Sequence, residues 1–267
     1  MNRIDAAFNQ LRQLQKKALV GFVTAGDPTY SKSLEILTAM CRAGLDILEL
    51  GVPFSDPTAD GPVIQRSSQR ALKSGMTVGE VIRMASGIRK QGIAIPIVLF
   101  SYYNPILAYG LERFYRDALD NGVDGLLIVD LPPEESDEMT KKWPGNDLAF
   151  IRLIAPTTPL ARARTIVETA SGFVYLVSKT GVTGSDGLAA SPVSEQVSQL
   201  KQMTNLPICV GFGISTPDDV AAMSRIADGV VIGSAFERLI ETHVDDPDLA
   251  TILANQVVEY KRAGLER

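Results

Sequence analysis

Histidine is nearly absent from this chain, since His243 is the single histidine among 267 residues. Ser-His-Asp and Cys-His catalytic groups both use a histidine as base, and histidine-rich zinc sites use several, so the sequence argues against all three. Cysteine is also scarce: Cys41 and Cys209 lie far apart and form no CxxC motif. We expect both to be reduced, buried thiols of a cytoplasmic protein. Carboxylates, lysine, tyrosine and backbone amides remain as catalytic groups.

Long hydrophobic runs are missing as well. No apolar stretch reaches the ~20 residues that span a bilayer, and residues 1–17 are polar and amphipathic. We therefore expect neither a membrane span nor a signal peptide. Positive charge is in deficit, with a net charge of −5, which argues against a nucleic-acid surface. A small phosphorylated substrate stays possible, because backbone amides can bind phosphate without basic side chains.

Short apolar runs separated by amphipathic segments form the main pattern of the chain. Eight runs are typical of buried strands: 18–23, 47–50, 95–100, 125–129, 149–153, 173–177, 208–212 and 229–232. Helical patterns occupy 31–43, 64–90 with a break at Gly75, 107–121, 133–142, 159–169, 194–203, 216–226 and the segment from 249 to 260. This alternation predicts a (β/α)8 TIM barrel, with residues 1–267 forming a single domain. An open doubly wound sheet is the alternative, but no GxGxxG motif follows the first run.

The chain also has an extra helical pattern before the first strand. Ile4, Ala7, Phe8 and Leu11 recur at the spacing of one helix face. We expect this N-terminal helix to close the bottom of the barrel.

Glu49 is the strongest catalytic candidate. It ends an apolar run, between Leu48 and Leu50, so its side chain is expected to be desolvated and its pKa raised, which suits proton transfer near neutral pH. An ion-paired structural glutamate is the alternative. A second carboxylate, Asp60, follows in a loop whose prolines and glycines exclude regular structure.

Active sites of such barrels lie at the C-terminal ends of the strands. This rule selects one residue at or near the end of most of the runs: Phe22, Glu49, Phe100, Leu127, Tyr175, Phe212 and Ile232. Apart from Glu49 they are apolar or aromatic, which predicts a pocket for a flat hydrophobic group. The alternative for each of them is ordinary barrel core.

Glycine-rich loops follow the last three strands. Gly211-Phe212-Gly213 and Gly233-Ser234 follow the seventh and eighth, where barrel enzymes usually bind phosphate, and Gly184 comes from the loop before them. Residues 179–187 have the composition of an active-site lid. Lys179 opens this loop; it could form a Schiff base, although a solvated charge is the interpretation that we favour.

The same residues carry a family resemblance. The segments 49–57 and 59–65, then Gly181-Val182-Thr183-Gly184, then Gly211-Phe212-Gly213-Ile214, resemble the tryptophan synthase alpha chain. The resemblance implies a (β/α)8 barrel that cleaves indole-3-glycerol phosphate to indole and glyceraldehyde 3-phosphate without cofactor or metal. It also implies a pyridoxal-phosphate beta chain as partner, in an α2β2 heterotetramer, to which indole passes.

Residue roles follow from that resemblance. Glu49 is similar to the family's acid-base, and Asp60 to the carboxylate that engages the indole nitrogen. Thr183 matches the lid residue that closes towards Asp60, and Tyr175 and Phe22 match pocket residues. Two other functions remain open at this point: a phosphosugar isomerase on the same barrel, and a regulatory subunit whose ligand only activates a partner.

Overall fold

The computed structural model describes residues 2–143, 145, 147–178 and 190–265. Its strands are β1 (Ala18–Thr24), β2 (Ile47–Gly51), β3 (Ile97–Ser101), β4 (Gly125–Ile128), β5 (Ala149–Ile154), β6 (Val174–Val177), β7 (Ile208–Gly211) and β8 (Gly229–Ile232). Each strand pairs in parallel with the next, and β8 pairs with β1, so that the sheet closes. The predicted (β/α)8 barrel is confirmed.

Helices cover the outside of the sheet. They are α1 (Arg3–Gln13), α2 (Tyr30–Ala43), α3 (Pro62–Lys73), α4 (Val78–Lys90), α5 (Tyr103–Tyr109), α6 (Leu111–Asp120), α7 (Asp137–Thr140), α8 (Leu160–Glu168), α9 (Ala190–Lys201), α10 (Pro217–Ser224), α11 (Ser234–Thr242) and α12 (Leu249–Ala263), with one tight helical turn at Pro133–Glu135. In the described ranges, none of these helices has the length and apolar character to cross a membrane.

Two apolar cores follow from the alternation of side chains along each strand. One lies between the sheet and the helices, and the other fills the barrel interior. Ile4, Phe8 and Leu11 of α1 belong to the interior core, and the Phe8 ring lies 5.9 Å from that of Phe173. The N-terminal helix therefore closes the bottom of the barrel, as predicted.

Helix boundaries differ most from the prediction at three places. Within the predicted helix 133–142, the structure has a tight helical turn at Pro133–Glu135 and the four-residue helix α7 (Asp137–Thr140). The segment 107–121 is not one helix, because Gly110 has a φ of 96° and separates α5 from α6. The ninth helix begins at Ala190 rather than at Ser194. It includes Pro192, which is tolerated there because the first turn of a helix leaves its amides without intrahelical partners.

Candidate active site

A cavity of about 420 Å³ opens at the C-terminal end of the barrel. One wall comes from the loop after β2 and the start of α3, another from the glycine-rich loops after β7 and β8, and the floor from inward side chains of the strands. The lining residues are Phe22, Glu49, Thr58, Ala59, Asp60, Gly61, Pro62, Val63, Ile64, Phe100, Val129, Leu153, Tyr175, Val177, Phe212, Gly213, Ile214, Val231, Gly233 and Ser234. The wall is mainly apolar, with two carboxyl groups.

Glu49 lies in the cavity floor. Ile47, two residues earlier on β2, belongs to the interior core, whereas Leu48 and Leu50 belong to the outer one, so the side chain of Glu49 points into the barrel. It is fully buried, and neither carboxyl oxygen has a hydrogen-bond partner among the described residues. Burial raises its pKa to about 8. Glu49 is thus a neutral acid at neutral pH, and no described residue makes the ion pair of the structural alternative.

Aromatic rings surround this acid. The rings of Phe22 and Phe100 meet edge to face, with centroids 5.2 Å apart, and those of Tyr175 and Phe212 meet similarly at 6.1 Å. Burial, then the nearby charge of Glu49, raises the pKa of Tyr175 well above its usual range. These rings give the cavity flat, apolar walls close to the Glu49 carboxyl group.

Two glycines provide the space for these rings. A Cβ atom at Gly51 would lie 2.6 Å from the Phe22 ring, and one at Gly211 would lie 2.1 Å from the Tyr175 hydroxyl. Both distances are far below van der Waals contact, so any larger residue would displace the ring.

Asp60 lies on the loop before α3, at the side of the cavity. The Tyr102 hydroxyl donates a hydrogen bond of 3.1 Å to its Oδ2 and accepts one of 2.9 Å from the Ala59 amide. Burial raises the pKa of Asp60 to about 6, and the hydrogen bond from Tyr102 opposes this rise. Asp60 is therefore mostly ionised at pH values where Glu49 still holds its proton.

The opposite wall contains an open helix N-terminus. The amides of the first turn of any helix lack intrahelical partners. At α11 the N-cap residue is Gly233, and no described side chain makes a capping bond to these amides. The neighbouring helix α10 differs, because Thr216 and Asp219 form a capping box there. Beside this terminus, Phe212 and Gly213 both have positive φ, 74° and 77°. Backbone N–H groups at such a place can bind an anion.

The structure brings most of the predicted site residues together. Nine of them line the cavity: Phe22, Glu49, Asp60, Phe100, Tyr175, Phe212, Gly213, Gly233 and Ser234. Lys179, Thr183 and Gly184 lie outside the described residues.

Three predicted residues are not in the wall formed by the described residues. Leu127 lies in the interior core, and Ile232 packs in the outer core. Gly211 lies beside Tyr175, where an added Cβ would overlap the hydroxyl, and its carbonyl accepts hydrogen bonds from Ser178. The wall instead includes Val129, the residue after β4, and Val231 of β8, both of which sequence reasoning missed. The alternation of side chains along a strand is the signal that identifies them. Val129 is two residues after the inward-facing Leu127 and so faces the same way, whereas Val231 is next to the outward-facing Ile232 and so faces inward.

Tyr102 was missed too. It follows the inward residue Phe100 by two positions, at the point where β3 ends, and so lies on the same side of the chain. Within the described residues, no group of three histidine, cysteine, aspartate or glutamate side chains could hold a metal ion.

Together, these features define a (β/α)8-barrel protein with an apolar, carboxyl-containing cavity at the C-terminal end of its strands, where barrel enzymes have their active sites. The tryptophan synthase alpha chain family model matches residues 8–263. A tryptophan synthase alpha chain from Desulfosudis oleivorans is 61% identical over 265 residues, covering 98% of this chain and 99% of that protein. One from Desulfatibacillum aliphaticivorans is 58% identical over 264 residues, with the same shares covered.

Solved structures agree with these relatives. Tryptophan synthase subunit alpha from Legionella pneumophila superposes with a TM-score of 0.89 at 36% identity, covering 98% of both chains. A chain of Mycobacterium tuberculosis tryptophan synthase gives a TM-score of 0.90 at 31% identity, covering 100% of this chain and 99% of that one. The chain belongs to the tryptophan synthase alpha chain family, whose lyase reaction cleaves indole-3-glycerol phosphate.

Proposed function

We propose that Glu49 and Asp60 carry out the cleavage of indole-3-glycerol phosphate in this chain. The observation that carries the proposal is the state of Glu49: a fully buried carboxyl group, without a described hydrogen-bond partner, whose pKa of about 8 keeps it protonated in an apolar cavity. Such a group can give a proton to a carbon atom and take one back at neutral pH.

The reaction is a retro-aldol cleavage, and its proton balance needs one acid-base. Glu49 gives its proton to indole C3, which turns the ring into an indolenine cation. The resulting carboxylate takes the proton of the adjacent side-chain hydroxyl as that oxygen becomes the aldehyde of glyceraldehyde 3-phosphate. The electron pair of the breaking carbon–carbon bond returns to the ring, which leaves as indole, and Glu49 is protonated again.

Asp60 stabilises the charge that develops on the ring. Its carboxylate lies in the same cavity and is ionised above its pKa of about 6. It accepts a hydrogen bond from the indole N–H, which strengthens when C3 is protonated and positive charge appears on the nitrogen.

The open N-terminus of α11 binds the phosphate in this proposal. Gly213, Gly233 and Ser234 line the cavity there, and the amides of the first turn have no intrahelical partner. The positive end of the helix dipole favours a phosphate dianion. The aromatic walls formed by Phe22, Phe100 and Tyr175 hold the indole ring. Thr183 and Gly184 remain predicted contacts of a closing lid.

We propose further that the chain acts in an α2β2 heterotetramer with a pyridoxal-phosphate beta chain that receives the indole. Family membership supports this partner. We also propose that residues 1–267 form one domain. A cytoplasmic location is proposed as well, because Cys41 and Cys209 are free and buried in the structure.

Turnover of indole-3-glycerol phosphate by the purified chain tests the function. We expect indole and glyceraldehyde 3-phosphate in equal amounts, formed by the isolated chain and faster with a beta chain present. Isomerisation of triose or phosphoribosyl substrates without indole formation would support the isomerase instead. A chain that binds substrate without turnover, alone or with the beta chain, would be a regulatory subunit.

A further inference from the structure

A second buried acid lies on the first turn of α11. Glu237 is fully buried, and its Oε1 accepts a hydrogen bond of 2.5 Å from the Thr24 amide at the end of β1. Its backbone amide donates to the Gly233 carbonyl and so closes the first turn of the helix. Glu237 therefore links two elements of the cavity wall. One is the first turn of α11, whose free amides face the cavity, and the other is β1, the strand that contains Phe22.

Asp27, which is also fully buried, lies within hydrogen-bond reach of the Glu237 side chain. Arg70 of α3 donates to both Asp27 oxygens, over 2.8 and 2.7 Å. Oε2 of Glu237 receives no hydrogen bond from a described donor. A hydrogen bond between the two carboxyl groups therefore needs a proton between them. Burial, then the charge of Asp27, raises the pKa of Glu237, so the proton stays on Glu237.

Two more charged groups, Arg66 and Glu241, complete the surroundings. Arg70 donates to Glu241 over 3.0 Å, and Arg66 donates to Glu241 over 2.6 and 2.8 Å. While Glu237 is neutral, the carboxylates of Asp27 and Glu241 balance the two guanidinium groups. An ionised Glu237 would place an unbalanced, buried negative charge against Asp27, which is costly in the low dielectric of the interior.

We propose that Glu237 is a positioning residue for the substrate phosphate: its carboxyl proton bonds Asp27, its other oxygen binds the Thr24 amide, and both contacts orient the first turn of α11. Because Asp27 is paired with Arg70, and α3 begins directly after the Asp60 loop, the same contacts connect the phosphate-binding helix to that loop. This inference rests on the proposed function of the cavity.

The test is the pH dependence of phosphate binding. Glycerol 3-phosphate is titrated calorimetrically into the full chain near pH 7 and near pH 9, where the probe is a dianion throughout because its second pKa is about 6. We expect the affinity of the natural chain to fall by about fivefold to tenfold as Glu237 ionises. Glu237→Gln should bind normally near pH 7 and change by less than about twofold, because its amide can donate to Asp27 and accept from Thr24 but cannot ionise.

Two further variants sharpen the result. Glu237→Val removes both side-chain hydrogen bonds. At either pH, this variant should bind the probe about tenfold more weakly than the natural chain does near pH 7. Arg238→Gln, on the exposed face of the same helix, should behave as the natural chain does. Glu49 titrates in all of these proteins, so its contribution cancels in the comparison.

Equal pH dependence in the natural chain and in Glu237→Gln would overturn the proposal, whether or not Glu237→Val folds. If a folded Glu237→Val bound the probe with the same affinity as the natural chain, the proposal would be overturned as well. If the natural chain neither bound the probe nor cleaved indole-3-glycerol phosphate, the proposed function of the cavity would fail with it. If the natural chain cleaved indole-3-glycerol phosphate, and if probe binding had the same pH dependence in Glu237→Gln and in the natural chain, only the positioning role of Glu237 would be overturned.

Discussion

The Tyr102 hydroxyl donates a 3.1 Å hydrogen bond to Asp60, and this bond lowers the pKa of a carboxyl group that burial raises to about 6. The two side chains come from different loops, after β3 and after β2. Since Glu49 must keep its proton, up to a pKa of about 8, and Asp60 must lose its own, the activity of the chain should follow a bell-shaped pH profile between these values.

Tyr102→Phe should shift the acid limb of this profile upward. The change removes the donor that stabilises the Asp60 carboxylate, so the pKa of Asp60 rises by up to about one unit, and kcat/KM falls by about twofold at pH 7 and by more below it. Tyr109→Phe is the matched control, because that hydroxyl bonds Asp117 away from the cavity. An acid limb at the same pH in Tyr102→Phe and the natural chain would show that this bond does not tune Asp60.

Gly211→Ala should damage the cavity through Tyr175. The new methyl group would lie 2.1 Å from the tyrosine hydroxyl and force the ring to move. Overpacking of this kind typically costs about 1–3 kcal/mol, and we expect a similar loss in the free energy of unfolding with a lower kcat/KM. The measurements are urea denaturation and steady-state kinetics.

Gly79→Ala is the control for that variant. Gly79 lies in α4, where an added Cβ would be 3.4 Å from the nearest side-chain atom, an ordinary contact. Alanine is a better helix former than glycine by about 1 kcal/mol, so this variant should be as stable as the natural chain or more so. Natural activity in Gly211→Ala would contradict the role of the Tyr175 ring.

Ser234→Asp should separate phosphate binding from folding. An acidic residue in the first turn of α11 is favourable for the helix, so stability should be kept. The new carboxylate would meet the phosphate dianion, so KM for indole-3-glycerol phosphate should rise by at least about tenfold, equivalent to ~1.4 kcal/mol. Ser234→Ala should change KM far less. A natural KM in Ser234→Asp would place the phosphate elsewhere.

The free energy of unfolding should depend on pH through Glu49. The pKa of Glu49 is about 8 in the folded chain against 4.5 for an ordinary glutamate, so the folded chain binds more protons between these values. Stability should therefore fall as pH rises through this range and level off above it, by up to about 5 kcal/mol from this residue. Urea denaturation of Glu49→Gln should give a flatter curve than the natural chain. Parallel curves would mean that Glu49 is not held in its neutral form.

The barrel and its central acid were predictable from local patterns. Eight apolar runs show the strands directly, and the apolar neighbours of Glu49 indicate its burial. The Pro- and Gly-rich composition of the Asp60 loop likewise excludes a strand there. These predictions depend on neighbours in sequence, and for that reason they agree with the structure.

Positions that depend on side-chain direction or on distant contacts were not predictable in this way. Choosing one residue at or near the end of each run selected Leu127 and Ile232, whereas the cavity wall contains Val129 and Val231. Glu237 and its hydrogen-bond partner Thr24 are more than two hundred residues apart in the sequence, so no local pattern predicts their contact.

In the proposed mechanism Glu49 both gives and takes the proton, so turnover by Glu49→Gln is the decisive measurement. Glutamine keeps the size of the side chain but has no proton to transfer, while Glu259→Gln on the exposed face of α12 controls for the loss of one carboxyl group. One acid-base role contributes ~10²–10⁴ in rate, so kcat for indole-3-glycerol phosphate should fall by at least the upper part of that range, with glycerol 3-phosphate affinity nearly unchanged. A folded Glu49→Gln that loses less than about tenfold in kcat would exclude this role of Glu49, because a loss that small is below the contribution of an acid-base group.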